Sequence, residues 1–118
     1  MAELDPMESQ IIQFLLVRDF GASTPLLDQL ASAKFDMRHM TGTGFYVDLL
    51  VPESAPRLDK TNAEPSEAYK TSLAPPCDLV GFTLFIRDGC LSSFEGYTFG
   101  DVRWPDEPMQ SWLVLEPV

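Results

Sequence analysis

The sequence predicts an α+β fold, with an N-terminal helical hairpin packed on one face of a mostly antiparallel sheet of about five strands. Three observations favour this fold. Apolar residues recur at helical spacing near the N-terminus, alternate with period two from Phe35 onwards, and flank an Asp-Gly pair at 88–89 that is typical of a tight hairpin turn. A chain of 118 residues is long enough for one core and too short for two, so we expect a single domain over residues 1–118.

Two helices are predicted at the start of the chain. Asp5 is placed to cap the first helix, with Pro6 at its first position and Gly21 at its end. Its apolar stripe comprises Ile11, Ile12, Leu15 and Leu16. Thr24 and Pro25 begin the second helix in the same way. Its stripe comprises Leu26, Leu27, Leu30 and Ala31. Because the link between the helices is short, we expect a helical hairpin or a sharp corner.

The next segment predicts a first β-hairpin. Its strands are FDMRHM and FYVDLLV, and its turn is TGTG at 41–44. The glycines of this turn weakly match a phosphate-binding loop, but such a loop is followed directly by a helix, whereas a strand follows here. We therefore expect a turn and no nucleotide site.

Residues 52–78 separate the two predicted hairpins. They contain five of the ten prolines and show little periodicity, apart from a short helical turn near residues 66–70. A loop of this length within a compact domain is usually functional or mobile. We expect a proline-rich loop within the domain, not a domain boundary, because neither flank is long enough to form its own core.

The second hairpin surrounds the Asp-Gly pair at 88–89, a strong signal for a two-residue turn. Regular pairing across this turn places Phe82 opposite Glu95 and Val80 opposite Tyr97. Glu95 would then lie on the more apolar face of the hairpin. That position for a carboxylate requires an explanation.

Glu95 is the first candidate for a binding site. A buried carboxylate must be paired, hydrogen-bonded or open to a water-filled pocket, because an isolated buried charge is costly. The residues whose side chains could partner it are Arg38, His39, Arg87, Arg103, Tyr46 and Tyr97. The alternative is a β-bulge at residues 92–93, which would turn Phe94 inward and Glu95 out to solvent.

The C-terminal part predicts a last strand within QSWLVLEPV, preceded by the turn-rich link DVRWPDEP. Trp104 lies in that link and allows two interpretations, a plug in the core or an exposed anchor for a partner. The candidate binding residues are Glu95, Tyr97, Trp104, His39 and Tyr46.

The charge balance bears on partners. With 18 acidic and 8 basic residues, the chain has a net charge of -10 and a sequence pI near 4.2. Such a charge repels phosphate backbones and anionic lipids and speeds encounter with a basic protein. We therefore expect neither nucleic acid nor a membrane as a direct partner. The excess of acid serves either solubility or docking to a basic protein.

The N-terminal sequence MAELDPMESQ lacks the features of a secretory signal, and no run approaches the ~18 apolar residues of a membrane span. The interpretation that follows is a soluble cytoplasmic protein. Cys77 and Cys90 are too few for a disulfide framework, and we expect free thiols in a reducing compartment.

No catalytic or cofactor signature is complete. One histidine and two separated cysteines do not supply the ligands of a tetrahedral zinc site, so we expect no metal and no cofactor. A Cys-His pair or a serine triad would depend on His39, and no serine lies in a nucleophile-elbow sequence. The sequence therefore favours a protein that is not an enzyme.

Two blocks of the sequence carry a resemblance. TGTGFYVDLLVPESAPRL and VGFTLFIRDGCLSSFEGYTFGDVRWP resemble the two motif blocks of an uncharacterised family of small bacterial proteins. These motifs are GxGF[FY]xx[FL]xVP and GFxLF[IV]RDGxLxx[FL]EG[YF]. The resemblance implies a bacterial origin and implies that Glu95 belongs to the family pattern. It implies no catalytic residue.

These observations favour a non-catalytic acidic interaction protein that resembles the immunity proteins which neutralise basic toxins by electrostatic docking. Small size, negative charge and the absence of catalytic machinery support that hypothesis. The alternative is a small-ligand-binding domain with a pocket between helices and sheet, in which Glu95 and Tyr97 orient an amine or hydroxyl compound.

Overall fold

Two helices lie against one face of a seven-stranded antiparallel sheet in the computed structural model, which describes residues 2–117. The helices are α1 (Pro6–Phe20) and α2 (Pro25–Ser32), and a short 3₁₀ turn spans Met109–Ser111. The strands are β1 (Ala2–Glu3), β2 (Lys34–Met40), β3 (Gly44–Leu50), β4 (Ser66–Thr71), β5 (Leu79–Arg87), β6 (Cys90–Thr98) and β7 (Leu113–Pro117). Their order in the sheet is β1-β2-β3-β6-β5-β4-β7. The α+β class and the N-terminal helices are confirmed.

The prediction of about five strands is wrong, because the sheet has seven. The first additional strand, β1, has two residues and is too short to show a period. The second, β4, lies inside the predicted loop 52–78, where a short helical turn was expected. Only Tyr69 of β4 is buried, opposite Val80 of β5, so the local pattern carried little strand signal. Tertiary pairing decides the conformation of such a segment.

The helix boundaries follow from local sequence, as predicted. Asp5 accepts a hydrogen bond from the backbone N–H of Met7 at 2.8 Å, and Thr24 accepts one from that of Leu26 at 3.3 Å. Gly21 ends α1 with a φ of 90°, a conformation that favours glycine. Within residues 2–117, no helix has both the length and the apolar composition needed to cross a bilayer.

The core lies between the helices and the sheet. Its helical side consists of Ile11, Ile12, Leu15, Leu16 and Leu26. Its sheet side is rich in aromatic rings: Phe82 stacks on Phe94 at 5.6 Å, and Trp104 packs edge-on against Phe45 at 5.3 Å. Trp104 is 6% exposed, so its ring is part of the core and not an exposed anchor.

Gly96 allows these aromatic rings to meet. A Cβ atom at this position would lie 2.5 Å from Cε1 of Phe45, 2.9 Å from Cε1 of Phe82 and 3.0 Å from Cη2 of Trp104. Any side chain here would push the rings apart and open the centre of the core. The core therefore requires glycine at this position of β6.

The β5–β6 hairpin contains a β-bulge, which was the predicted alternative to regular pairing. Phe85 pairs with Ser93, but the next residue of β5, Ile86, pairs with Leu91, so β6 has one extra residue. Phe94 consequently faces the core with no exposed surface, and Glu95 pairs with Thr83 on the opposite face.

The regular register, with Phe82 opposite Glu95, is therefore wrong. Burying a phenylalanine side chain stabilises a fold by about 1.5–3 kcal/mol. Burying an unpaired carboxylate costs several kcal/mol. Both terms favour the bulged register, which buries Phe94 and turns Glu95 away from the core.

A buried glutamine fastens α2 to the hairpin. Gln29 has no exposed surface, and its side-chain amide donates to the carbonyl oxygens of Pro56 at 2.7 Å and Gly89 at 2.9 Å. Its Oε1 accepts from the backbone N–H of Leu91 at 2.8 Å. One side chain thus joins α2, the loop after β3 and the start of β6.

An ion pair fastens α1 to β2. Glu8 is 1% exposed and accepts two hydrogen bonds from the guanidinium of Arg38, at 2.8 and 2.7 Å. The guanidinium carbon lies 4.6 Å from the ring centre of Phe45 and 5.3 Å from that of Phe35. The carboxylate and the rings together hold this arginine in place.

Candidate binding surface on the outer face of the sheet

The face of the sheet opposite the helices, here called the outer face, has no described helix on it. Strand alternation places polar and aromatic side chains there, because the residues between them point into the core. One row of direct cross-strand partners runs across five strands. From β2 to β4 it consists of His39, Tyr46, Glu95, Thr83 and Ser66.

Two aromatic rings form one side of this row. The rings of His39 and Tyr46 are stacked, with their centres 4.5 Å apart and their planes 13° apart. Tyr46 is 39% exposed and is the direct partner of Glu95 across the β3–β6 pair. Glu95 therefore has an exposed aromatic ring beside it.

Tyr97 lies two residues beyond Glu95 on β6 and on the same face. Its neighbours across β3 and β5 are Gly44 and Gly81. A Cβ atom on Gly81 would collide with the Tyr97 ring, so the ring lies directly over Gly81 of the neighbouring strand. The hydroxyl group of Tyr97 is hydrogen-bonded to Oγ1 of Thr83 at 3.1 Å. The ring is thus fixed at two points.

Glu95 forms no salt bridge with any residue of the described range 2–117. Burial raises the pKa of its carboxyl above the ordinary value of 4.5, and the nearby carboxylate of Glu64 raises it further. The arginines named as candidate partners are engaged elsewhere: Arg38 with Glu8, Arg87 with Glu64 at 3.0 Å, and Arg103 with Asp106 at 3.3 Å. Among residues 2–117, no side chain donates a hydrogen bond to the Glu95 carboxylate.

The structure thus brings together four of the five candidate binding residues. Glu95, Tyr97, His39 and Tyr46 share the outer face, whereas Trp104 belongs to the core on the other side. The predicted pocket between helices and sheet does not contain Glu95 or Tyr97, because the bulge places both on the outer face.

Two further residues of this surface were not among the candidates. Thr83 orients Tyr97 through a hydrogen bond to its hydroxyl group. The carboxylate of Glu64 raises the pKa of Glu95 and accepts a hydrogen bond from Arg87. Thr83 lies at an outward position of β5, which a bulged register would have placed beside Glu95. Glu64 lies in the segment before β4, whose pairing was not predicted, so no signal in the sequence placed it here.

A separate cavity of about 370 Å³ lies at the start of α1, between the Glu8–Arg38 ion pair and residues 104–110. Its walls include Trp104, Asp106, Glu107 and Met109. Glu8 is satisfied by Arg38, and no buried side-chain polar atom of the described residues lacks a hydrogen-bond partner. The cavity therefore presents no unsatisfied buried group to a ligand.

Comparisons with known proteins were made for the whole chain. No protein-family model matches it, and neither does any curated protein or solved structure. The resemblance of the two motif blocks to a family of small bacterial proteins stays a prediction. In the part of the chain from residue 2 to 117, no three histidine, cysteine or acidic side chains cluster in a way that could hold a metal ion.

The Glu95→Gln substitution should stabilise the protein slightly at pH 7. A raised carboxyl pKa means that the folded state disfavours the charged form, so the wild type loses stability as the pH rises from 4.5 through the folded pKa. Because this side chain is only partly buried and the solvent screens its charge, the gain should stay below about 1 kcal/mol. Urea denaturation at pH 7 and pH 3 measures it.

At pH 3 both proteins carry a neutral side chain at this position, and the gain should disappear. Ser93→Ala, two residues earlier on the same face, is the control and should show no dependence on pH. A variant less stable than the wild type at pH 7 would contradict the assignment of Glu95 as a carboxylate without a cation.

Proposed function

We propose that the protein is a non-catalytic interaction protein of the bacterial cytoplasm, resembling immunity proteins, and that it docks a basic protein on the outer face of its sheet. The observation that carries the proposal is Glu95, a partly desolvated carboxylate that has no salt-bridge partner among residues 2–117 and lies next to the exposed ring of Tyr46. A partner that supplies a cation there would relieve the cost that burial imposes on the carboxylate.

Electrostatics support a basic partner. The net charge of -10 speeds the approach of a positively charged protein and repels nucleic acid. Asp48 faces outward on β3, two residues from Tyr46, and Glu64 lies near Glu95. Three carboxylates thus lie near the aromatic residues. Glu64 is paired with Arg87, and within residues 2–117 Asp48 and Glu95 form no salt bridge.

The shape of the surface supports a protein over a small molecule. Small-molecule sites are concave and bury most of their ligand. The row of residues around Glu95 lies on an open sheet face. An exposed tyrosine such as Tyr46 is typical of the centre of protein–protein interfaces, where a few aromatic and charged residues carry most of the binding energy. The small-ligand alternative therefore has less support than docking.

The test is capture of partners from a bacterial lysate by the wild type and by two charge-matched variants. Glu95→Lys reverses the charge on the outer face, and Asp28→Lys makes the same change on the exposed side of α2. We expect the wild type and Asp28→Lys to recover one basic protein at low salt, and Glu95→Lys to lose it. High salt should weaken the association.

An immunity-like role adds a second readout. Expression of the recovered protein alone should slow growth, and coexpression with the wild type should restore it. The proposal fails if the Glu95→Lys substitution does not reduce the capture of any basic protein, or if Asp28→Lys reduces that capture to the same extent. It fails for the immunity-like role alone if the recovered protein has no effect on growth.

A further inference from the structure

We propose that the outer face recognises an arginine side chain of its partner, with the guanidinium bound to Glu95 and stacked on the rings of Tyr46 and Tyr97. This inference rests on the proposed docking function and specifies the group that is recognised. Its evidence is the way in which this chain binds its own arginines.

Three arginines of the chain share one arrangement, in which the guanidinium lies over an aromatic ring and pairs with a carboxylate. Arg38 lies 4.6 Å from the ring centre of Phe45 and binds Glu8. Arg87 lies 5.4 Å from the ring centre of Phe85 and binds Glu64 at 3.0 Å.

The third is Arg18, which lies 5.7 Å from the ring centre of Phe14 and binds Asp19 at 2.7 Å. Each site thus combines a ring, a carboxylate and a planar cation. The arrangement is stable because the ring attracts the cation while the carboxylate accepts its N–H groups.

The surroundings of Glu95 have two of these three parts. Tyr46 is the direct cross-strand partner of Glu95, and the Cβ atoms of such partners lie about 5 Å apart. Tyr97 is two residues along the same strand and on the same face, so its Cα atom lies about 7 Å from that of Glu95. The carboxylate and the rings are present, and none of the described residues supplies the cation.

Both rings are held in place before a partner binds. His39 stacks on Tyr46, and Tyr97 is held by its hydrogen bond to Thr83 and by its seat at Gly81. Rings that are already ordered lose little conformational entropy on binding. Such a site discriminates by the shape of the cation.

Guanidinium fits this site better than ammonium. It is planar, it stacks on aromatic faces, it binds a carboxylate through two parallel hydrogen bonds, and it is more weakly hydrated than the ammonium group of lysine. Lysine would gain the attraction to Glu95 but would lose the stacking. The site should therefore prefer arginine to lysine at equal charge.

The experiment compares two capped, fluorescently labelled peptides, hexa-arginine and hexa-lysine, by fluorescence anisotropy at low salt. We expect the wild type to bind hexa-arginine about tenfold more tightly, the ratio that corresponds to one cation–ring contact of about 1.4 kcal/mol. Backbone amide shifts in NMR should place the peptide on β3, β5 and β6. Glu95→Gln and Tyr46→Leu should each remove the preference.

Asp28→Asn, which removes a charge from α2, should retain the preference. Thermal melting of each variant tests whether it is folded. We expect Tyr46→Leu to fold, because the side chain of Tyr46 is 39% exposed. Equal binding of both peptides, still dependent on Glu95, would overturn the arginine inference and leave the docking function standing. Binding of neither peptide, or binding that does not depend on Glu95, would overturn both.

Discussion

Replacing Arg38 by methionine should destabilise the protein by about 3 kcal/mol, because it leaves the carboxylate of Glu8 buried without its cation. Glu8 is 1% exposed, so its carboxylate has almost no contact with water to replace the lost cation. The expected loss lies at the lower end of the range for buried ion pairs, since the side chain of Arg38 is 32% exposed. Urea denaturation at pH 7 measures the loss.

The opposite single change should cost less. Glu8→Gln leaves Arg38 without its carboxylate, but this side chain is partly exposed and can be hydrated. The double variant Glu8→Leu/Arg38→Met removes both charges and should recover most of the stability lost in Arg38→Met, since apolar pairs can replace a buried ion pair. A double variant less stable than both single variants, or an Arg38→Met protein as stable as the wild type, would show that the pair does not fasten α1.

Replacing Gln29 by leucine should destabilise the protein by about 2–3 kcal/mol, mainly because the backbone N–H of Leu91 is left buried without an acceptor. The carbonyl of Gly89 keeps the hydrogen bond that it accepts from the N–H of Leu58, so it contributes less. The carbonyl of Pro56 loses the hydrogen bond from Gln29. Urea denaturation measures the total.

Amide hydrogen exchange gives the local readout, because the N–H of Leu91 should exchange faster in the Gln29→Leu protein. The matched control is Gln13→Leu, the same substitution at an exposed position of α1, which should change stability by less than about 0.5 kcal/mol. Equal effects of the two substitutions would mean that the loss reflects the added leucine and not the missing hydrogen bonds.

The helices and the two hairpins could be predicted because their signals are local. Asp5 and Pro6 act within one turn of helix, and the Asp-Gly turn acts between neighbouring strands. β4 could not be predicted, because only Tyr69 of this strand is buried and its partners lie on β5 and β7. A strand with a single buried residue, and with one partner as far along the chain as β7, leaves little trace in a local pattern.

Four of the five candidate residues share one face of the sheet, but the regular register assigned Glu95 and Tyr97 to the wrong side. Counting alternate residues brought Glu95 and Tyr97 to one face, but the bulge moved that face to the outside of the sheet. Comparing the cost of burying Glu95 with the gain from burying Phe94 would have chosen the bulged register, since both terms favour it.

Two polar residues of the core carried a signal that was not used. Glu8 precedes Ile11 and Ile12 by three and four residues, so it shares their buried face of α1. Gln29 follows Leu26 by three residues and shares its face of α2. A polar residue in register with an apolar stripe predicts a buried hydrogen bond. Its partners come from distant strands and turns, which the sequence does not order.

The strand order affects how the chain folds. The β5–β6 hairpin joins neighbouring segments across a two-residue turn, whereas β3 pairs with β6 and β4 with β7 over long stretches of chain. Closing such long loops lowers entropy before the contacts form, so sheets of this kind fold slowly. Until β7 arrives, one edge of β4 has no partner. At high protein concentration, partly folded chains should therefore aggregate, and the yield of refolded protein should fall.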